Sequence, residues 1–306
     1  MRVTFYEPGT PAEPWLQALR ALLPGAAVEP WSDGAALADY AVVWAPPQQL
    51  IDQQTRLKAI FNIGAGVDRL LTLRLPRDVP VVRLDDAGMA VQMAEYVCHA
   101  LIRHFREFEA YEVQAGQRQW VQRVARARAD FAVGIMGLGV LGERVARAVQ
   151  QFEFPLNGWS RSPRRLDGVA CFAGPSGLAG FLAASRVLVS LLPLTPATQG
   201  LLCRDTLSLL PVGAYVINVA RGGLVVEEDL LALVDSGHLA GATLDVFHSE
   251  PLPPEHRFWC HPRIRVTPPV SAQTLRDQSI AQIAGKILAL ERGDPVTGIV
   301  DTERGY

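Results

Sequence analysis

Phe131-Ala132-Val133-Gly134-Ile135-Met136 runs straight into Gly137-Leu138-Gly139-Val140-Leu141-Gly142, and apolar residues then recur at helical spacing from Leu141 to Gln151. An apolar strand, a G-x-G-x-x-G turn and a helix in that order open a nucleotide-binding βαβ unit. Gly137 permits the tight turn, Gly139 admits close approach of a pyrophosphate, and Gly142 lets the helix pack on the strand. Unpaired N–H groups at the helix start face the anion. Gly137, Leu138, Gly139, Val140, Leu141 and Gly142 are therefore cofactor-binding candidates. A structural glycine turn and an S-adenosylmethionine site are the rival readings of such a loop.

Outward from this loop, short apolar and β-branched runs alternate with helical patterns in both directions. On the N-terminal side, strands are expected at Val3–Tyr6, Tyr40–Trp44, Leu57–Ile63 and Val79–Leu84. Trp15, Leu16, Leu19, Leu22 and Leu23 form a helical face that Pro24-Gly25 terminates. From Ala90 to about Trp120 the spacing predicts one or two long helices with an apolar stripe of Tyr96, Ala100, Phe105, Phe108 and Tyr111. A second alternation follows, with strands at Phe131–Met136, Leu156–Trp159, Val187–Leu192, Ala214–Val219, Ala242–Phe247 and Ile264–Thr267, and a closing helix at Gln278–Arg292. The fold class is α/β, two doubly wound parallel-sheet, Rossmann-like domains, with a cleft between them as the expected ligand site.

Composition narrows the function. The chain has 306 residues, 49% of them hydrophobic and 20% charged, with a net charge near −2. That balance gives no cationic footprint for nucleic acid or an anionic membrane, so a small neutral or anionic ligand is expected. Cys98, Cys171, Cys203 and Cys260 are scattered without metal-ligand spacing. They read as buried thiols in a reducing compartment, and no metal is expected. The start at Met1 leads directly into a strand-like run, and no apolar stretch reaches membrane-spanning length, so a cytoplasmic location is expected.

The second strand of a dinucleotide unit ends in Asp or Glu where the cofactor is NAD, because the carboxylate accepts from the ribose 2′-hydroxyl. Here it ends in Trp159-Ser160-Arg161-Ser162-Pro163-Arg164-Arg165, with no acid. Arginine is abundant in this chain, since only Lys58 and Lys286 among the 29 basic residues are lysines, so position carries the argument rather than number. Ser160 and Arg161 can donate to a 2′-phosphate and Arg164 or Arg165 can add charge, which favours NADP(H) over NAD(H) and counts against S-adenosylmethionine.

Further along lie Val216-Ile217-Asn218-Val219-Ala220-Arg221-Gly222-Gly223, Leu244-Asp245-Val246-Phe247-His248-Ser249-Glu250-Pro251-Leu252 and Val266-Thr267-Pro268-Pro269-Val270. With the glycine loop, Phe61-Asn62-Ile63-Gly64-Ala65-Gly66-Val67-Asp68, Gln92-Met93-Ala94-Glu95-Tyr96 and the Arg-Gly-Tyr terminus, they resemble the D-isomer-specific 2-hydroxyacid dehydrogenases over nearly the whole chain. The resemblance is closest to the glyoxylate/hydroxypyruvate reductase A branch. It implies a discontinuous substrate domain of residues 1–93 and 274–306 around a dinucleotide-binding domain of residues 94–273. It also implies that Arg221 holds the substrate carboxylate and polarises its 2-carbonyl. Asp245 would bond the nicotinamide carboxamide, while Leu192, Pro193 and Ala220 would line the cofactor. Ala65 and Gly66 would offer N–H groups to the substrate, with Trp44 as a pocket wall. A homodimer is implied as well, in keeping with the apolar stripe between Tyr96 and Tyr111.

In that family Glu250 would press on a histidine that protonates the carbonyl oxygen as hydride reaches the carbon. The segment usually reads Thr-Pro-His, whereas this chain reads Thr267-Pro268-Pro269, and proline has no proton to give. Three readings stay open, the first two being an NADPH-dependent reductase of small 2-oxo acids slowed by the missing acid and a catalytically silent NADP(H)-binding sensor or scaffold. An oxidoreductase of altered chemistry is a third. A water beside Glu250, or His248, His256 or His261 on the neighbouring loop, are the candidate replacements.

Overall fold

The computed structural model describes residues 1–9 and 11–306. The chain divides into two compact units, Met1–Met89 with Thr274–Tyr306, and Ala90–Gln273. In the first, strands β1 (Arg2–Tyr6), β2 (Ala27–Pro30), β3 (Tyr40–Val43), β4 (Ala59–Asn62) and β5 (Val81–Arg83) form a parallel sheet in the order β2-β1-β3-β4-β5. β3 and β4 are buried at every residue, as parallel strands covered on both faces must be. Helix Ala12–Leu22 turns Trp15, Leu16 and Leu19 inward, as its spacing predicts.

The second unit carries β6 (Val133–Met136), β7 (Leu156–Ser160), β8 (Ala170–Ala173), β9 (Val187–Ser190), β10 (Ala214–Asn218), β11 (Leu239–Leu244) and β12 (Ile264–Val266). They form an all-parallel sheet in the order β12-β11-β10-β9-β6-β7-β8. Strand order reverses between β6 and β9, and such a switch point opens a crevice at the carboxyl ends of the strands. Both sheets with their helices match the expected doubly wound α/β class.

Several local expectations are corrected. β2 and β8 escape the hydrophobic pattern because both are edge strands with little buried surface, Val28 being the one buried residue of β2. β11 runs three residues earlier than the apolar run Ala242–Phe247 predicts. Its pairing with β10 ends at Asn218 opposite Leu244, after which the Asp245 N–H donates to the Asn218 carbonyl and the chain turns away. The stretch expected to hold one or two helices holds two, Met89–Phe105 and Phe108–Gly116, which part at Glu107, whose φ is 55°. Helix does not reach Trp120. Glu107 instead binds Arg123 at 2.7 Å and Arg126 at 3.1 Å, which fastens the non-helical stretch that follows. The cysteines are not fully buried either. Cys98, Cys171 and Cys203 are half-buried and Cys260 is exposed on a 3₁₀ turn, although burial still pushes the Cys98 thiol up to about 11.

Gln92 and Gln273 exchange side-chain hydrogen bonds, Nε2 to the Gln273 carbonyl at 3.0 Å and the Gln273 N–H to Oε1 at 3.3 Å. This pair stitches together the two stretches by which the chain enters and leaves the second unit. Among the described residues no helix is long and apolar enough to cross a membrane.

Candidate functional site

The glycine turn sits at the carboxyl end of β6 and is shaped by close approach. Gly137 has φ 110°, and a Cβ there would stand 2.9 Å from the Leu191 carbonyl oxygen. A Cβ on Gly142 would overlap the Gly137 carbonyl, so the helix Val140–Gln150 begins pressed against the turn. Gly139, by contrast, has open space where its Cβ would be, which leaves room for a ligand to approach the backbone. Leu138 is buried beneath the turn and Val140 is exposed at the helix start.

The Gly137 N–H donates to the Trp159 carbonyl at 2.8 Å, which brings the end of β7 beside the turn. Ser160 donates to the Ser162 carbonyl at 2.8 Å, and Arg164 donates to the Leu138 carbonyl at 2.7 Å. Arg164 is thus fixed to the glycine loop itself, with Arg161 and Arg165 exposed on the same turn. Leu192 and Pro193 follow β9, the neighbour of β6, and the Leu191 N–H bonds the Met136 carbonyl at 2.8 Å. An open glycine backbone, a helix start and a cationic turn without a carboxylate fit a dinucleotide bearing a 2′-phosphate.

At the end of β10, Asn218 is fully buried and its amide organises the next turn. Nδ2 donates to the Arg221 carbonyl at 3.0 Å, and Oδ1 accepts from the Ala220 N–H at 3.3 Å. Arg221 donates through Nη1 to the Ala220 carbonyl at 2.8 Å. A Cβ on Gly222 would overlap the Phe247 carbonyl, so the arginine turn lies directly against the loop that leaves β11. Glu250 folds back along that loop, its Oε1 accepting from the Phe247 N–H at 3.0 Å.

Asp245 is 1% exposed and holds a different loop. Its carboxylate accepts from Thr267 Oγ1 at 2.7 Å, from the Val270 N–H at 3.0 Å and from the Ser271 N–H at 2.9 Å. The Tyr96 hydroxyl lies 2.5 Å from Thr267 Oγ1, and burial pushes this phenol up to about 12. Pro269 is exposed on the loop so anchored.

The other three candidates meet on the first unit. Asn62, buried at the end of β4, donates Nδ2 to the Gly64 carbonyl at 2.9 Å and to the Gly66 carbonyl at 3.0 Å. With those carbonyls turned inward, the N–H groups of Ala65 and Gly66 have no partner among the described residues. A Cβ on Gly64 would press on the Trp44 ring at 2.6 Å, so the indole flanks this loop. Two unpaired N–H groups beside an aromatic wall suit a carboxylate.

Comparison with known proteins adds to this geometry. Residues 98–271 match the family model described as D-isomer specific 2-hydroxyacid dehydrogenase, NAD binding domain. The chain belongs to the D-isomer specific 2-hydroxyacid dehydrogenase family. Full-length similarity reaches 45% identity with glyoxylate/hydroxypyruvate reductase A of Serratia proteamaculans and 43% with that of Yersinia enterocolitica, each covering 100% of both chains. Among solved structures, a D-isomer specific 2-hydroxyacid dehydrogenase from Xanthobacter autotrophicus Py2, in complex with NADPH and MES, is similar at 39% identity and a TM-score of 0.94. It covers 100% of this chain and 99% of the other. The NADPH-dependent glyoxylate/hydroxypyruvate reductase of Sinorhizobium meliloti, in complex with NADP and sulfate, is similar at 38% identity and a TM-score of 0.93, with 100% and 99% covered.

Within this 2-hydroxyacid dehydrogenase, the sequence reading passed over Asn62 and Asn218, the two side chains that shape the candidate loops. A buried asparagine closing an otherwise apolar strand is the signal that could have found them. Of the loop histidines, His256 accepts from the Phe258 N–H through Nδ1 at 3.3 Å and meets Glu227 through Nε2 at 3.4 Å. His261 accepts from the Arg263 N–H at 3.1 Å and meets Asp235 at 3.1 Å. Both rings are engaged at both nitrogens.

Proposed function

We propose that this protein is an NADPH-dependent reductase of small 2-oxo acids, of the glyoxylate and hydroxypyruvate type, giving the 2-hydroxy acid. Full-length identity of 43–45% to proteins named glyoxylate/hydroxypyruvate reductase A carries this reading. The cofactor preference is supported by solved relatives in complex with NADPH or NADP and by the absence of any acid at the end of β7. The unit Ala90–Gln273 is the dinucleotide domain, and Met1–Met89 with Thr274–Tyr306 the substrate domain.

When bound, NADPH supplies the hydride. Gly137 to Gly142 receive its pyrophosphate, Ser160, Arg161 and Arg164 its 2′-phosphate, and Leu192, Pro193 and Ala220 line its path. Asp245 fixes the 267–271 loop and, with acceptor capacity to spare, meets the carboxamide. Arg221 binds the substrate carboxylate and polarises the 2-carbonyl, since a guanidinium stays charged and presents a planar fork of donors. Ala65 and Gly66 N–H groups orient the acid against Trp44. Glu250 raises the proton affinity of whatever donor stands near it.

Pro269 favours a second reading, an NADP(H)-binding sensor or scaffold without turnover. NADPH consumption by purified protein with glyoxylate and hydroxypyruvate, beside an Arg221→Ala control, separates the two. Turnover that the control abolishes is expected; tight NADPH binding with no turnover on any small 2-oxo acid overturns the reductase.

The protein works in the cytoplasm as a homodimer. Helix Phe108–Gly116 buries none of its residues, and Trp120, Val121 and Val124 beyond it are largely exposed, an apolar surface that association removes from water. Light scattering at micromolar concentration is expected to give twice the chain mass of 33.3 kDa, and a monomer mass would refute the dimer.

A further inference from the structure

The proton that Pro269 does not supply has a candidate source in the second unit, and the six histidines of the chain can be sorted by position. His99 is exposed on the helix Met89–Phe105. His104 is stacked on Tyr215, near the start of β10, with ring centroids 4.0 Å apart. His238 lies in the turn before β11. His104 and His238 therefore sit toward the amino ends of the strands, away from the crevice that the carboxyl ends form. His256 and His261 are held at both ring nitrogens.

His248 differs from all five. Its loop leaves the carboxyl end of β11, and its backbone N–H donates to Glu227 Oε1 at 3.0 Å. The imidazole is exposed and has no hydrogen-bond or ion-pair partner among the described residues. The Gly222 contact brings the peptide of Phe247 and His248 against the residue that follows Arg221. Glu250 returns along the same loop to cap Phe247. Glu227 holds the loop by that bond and also meets His256. A backbone held by Glu227 and by the Gly222 contact, an exposed imidazole and a carboxylate two residues along the same loop suit a positioned proton donor.

We propose that His248 is the general acid of this protein, a role that rests on the reductase reading above. The substrate carbonyl carbon accepts hydride from the reduced nicotinamide, and the carbonyl oxygen takes the N–H proton of the His248 imidazolium. The products are the 2-hydroxy acid, oxidised cofactor and a neutral imidazole, which regains its proton from water. The charged and titratable groups on the elements that meet this loop are Arg221 on the β10 turn, Glu227 at the start of helix Glu227–Asp235, its neighbour His256, and Glu250 on the loop itself.

The test compares parent, His248→Asn and the surface control His99→Asn. Expected are a fall of about 10²-fold in kcat for H248N, loss of the alkaline limb of its pH–kcat profile, and an unchanged H99N. NADPH affinity, read by fluorescence titration, is expected to stay within about twofold, because the ring lies outside the cofactor loop. Without turnover, the imidazole NMR resonance that H248N deletes is expected to change its titration when oxamate, an unreactive substrate mimic, joins the NADPH-bound protein. Parent turnover that H248N leaves intact in rate and pH profile overturns the role of His248 alone. Loss of the same limb in Glu250→Gln but not in H248N assigns the proton to water beside Glu250 and also overturns it. An inactive parent that still binds NADPH removes the reductase reading, and the proton-donor role with it.

Discussion

Asn62 and Asn218 do the same job in the two units, each closing a buried strand and turning the carbonyls of the next loop inward. Removing such an amide leaves buried backbone groups unpaired, which costs about 1–3 kcal/mol. Asn218→Ala is therefore expected to lose stability of that order in urea denaturation and to lower kcat more than it weakens NADPH binding, because it frees the Arg221 turn and leaves the glycine loop untouched. Equal losses in both would place Asn218 outside that role. At the end of β7 the proposed reading of the 2′-phosphate rests on charge. A double Arg161→Ser, Arg164→Ser variant is expected to weaken NADPH by roughly 10- to 100-fold, as for loss of one or two charge-assisted hydrogen bonds. NADH affinity measured by the same titration should move much less. A parallel fall for both cofactors would show that these arginines support the loop rather than read the phosphate.

Among elements, close backbone approach does what no single side chain does. Gly222 lets the β10 turn rest on the β11 loop, and a methyl group there would collide with the Phe247 carbonyl rather than with a side chain that can move aside. Gly222→Ala is expected to destabilise the fold by about 1–3 kcal/mol and to reduce turnover beyond what its residual folded fraction explains, with NADPH binding retained. Thermal melts paired with activity on the folded fraction check this; full activity of the folded protein would disconnect the two loops. Element types were largely legible from the chain because fully buried parallel strands read as continuous apolar runs, as in β6, β9 and β10. Boundaries and edges were less so. β11 ends where pairing with β10 ends rather than where the apolar run does, and the helix break at Glu107 follows from a left-handed residue whose carboxylate is held by Arg123 and Arg126.

At the scale of the whole molecule, His104 ties stability to pH. Burial, aided by the Arg126 and Arg186 guanidiniums, pushes its imidazole down to about 3. The folded protein keeps this ring neutral while the unfolded chain takes up a proton below an ordinary histidine value of about 6.5. The stability contribution is complete above about pH 6.5 and drains away as the pH falls toward 3, at up to about 1.4 kcal/mol per pH unit. His104→Phe keeps an aromatic ring on Tyr215 and cannot titrate. It is expected to flatten the decline in unfolding free energy between pH 6 and 4, measured by urea denaturation, and an unchanged slope would sink the assignment.

The sequence by itself determined the α/β class, the glycine cradle, the missing acid at the end of β7 and the missing histidine at Pro269. Each of these lies within a few consecutive residues, and local sterics, periodicity and charge act along the chain, where a sequence can be read. The tertiary structure decided how Asn62 and Asn218 organise their loops, that Asp245 anchors residues 267–271, and which loop histidines are engaged. It also decided that Gly222 sets the Arg221 turn against His248. Those outcomes depend on groups that meet only when neighbouring strands pair, because hydrogen bonds and backbone contacts act through space over a few ångströms, whatever the separation along the chain.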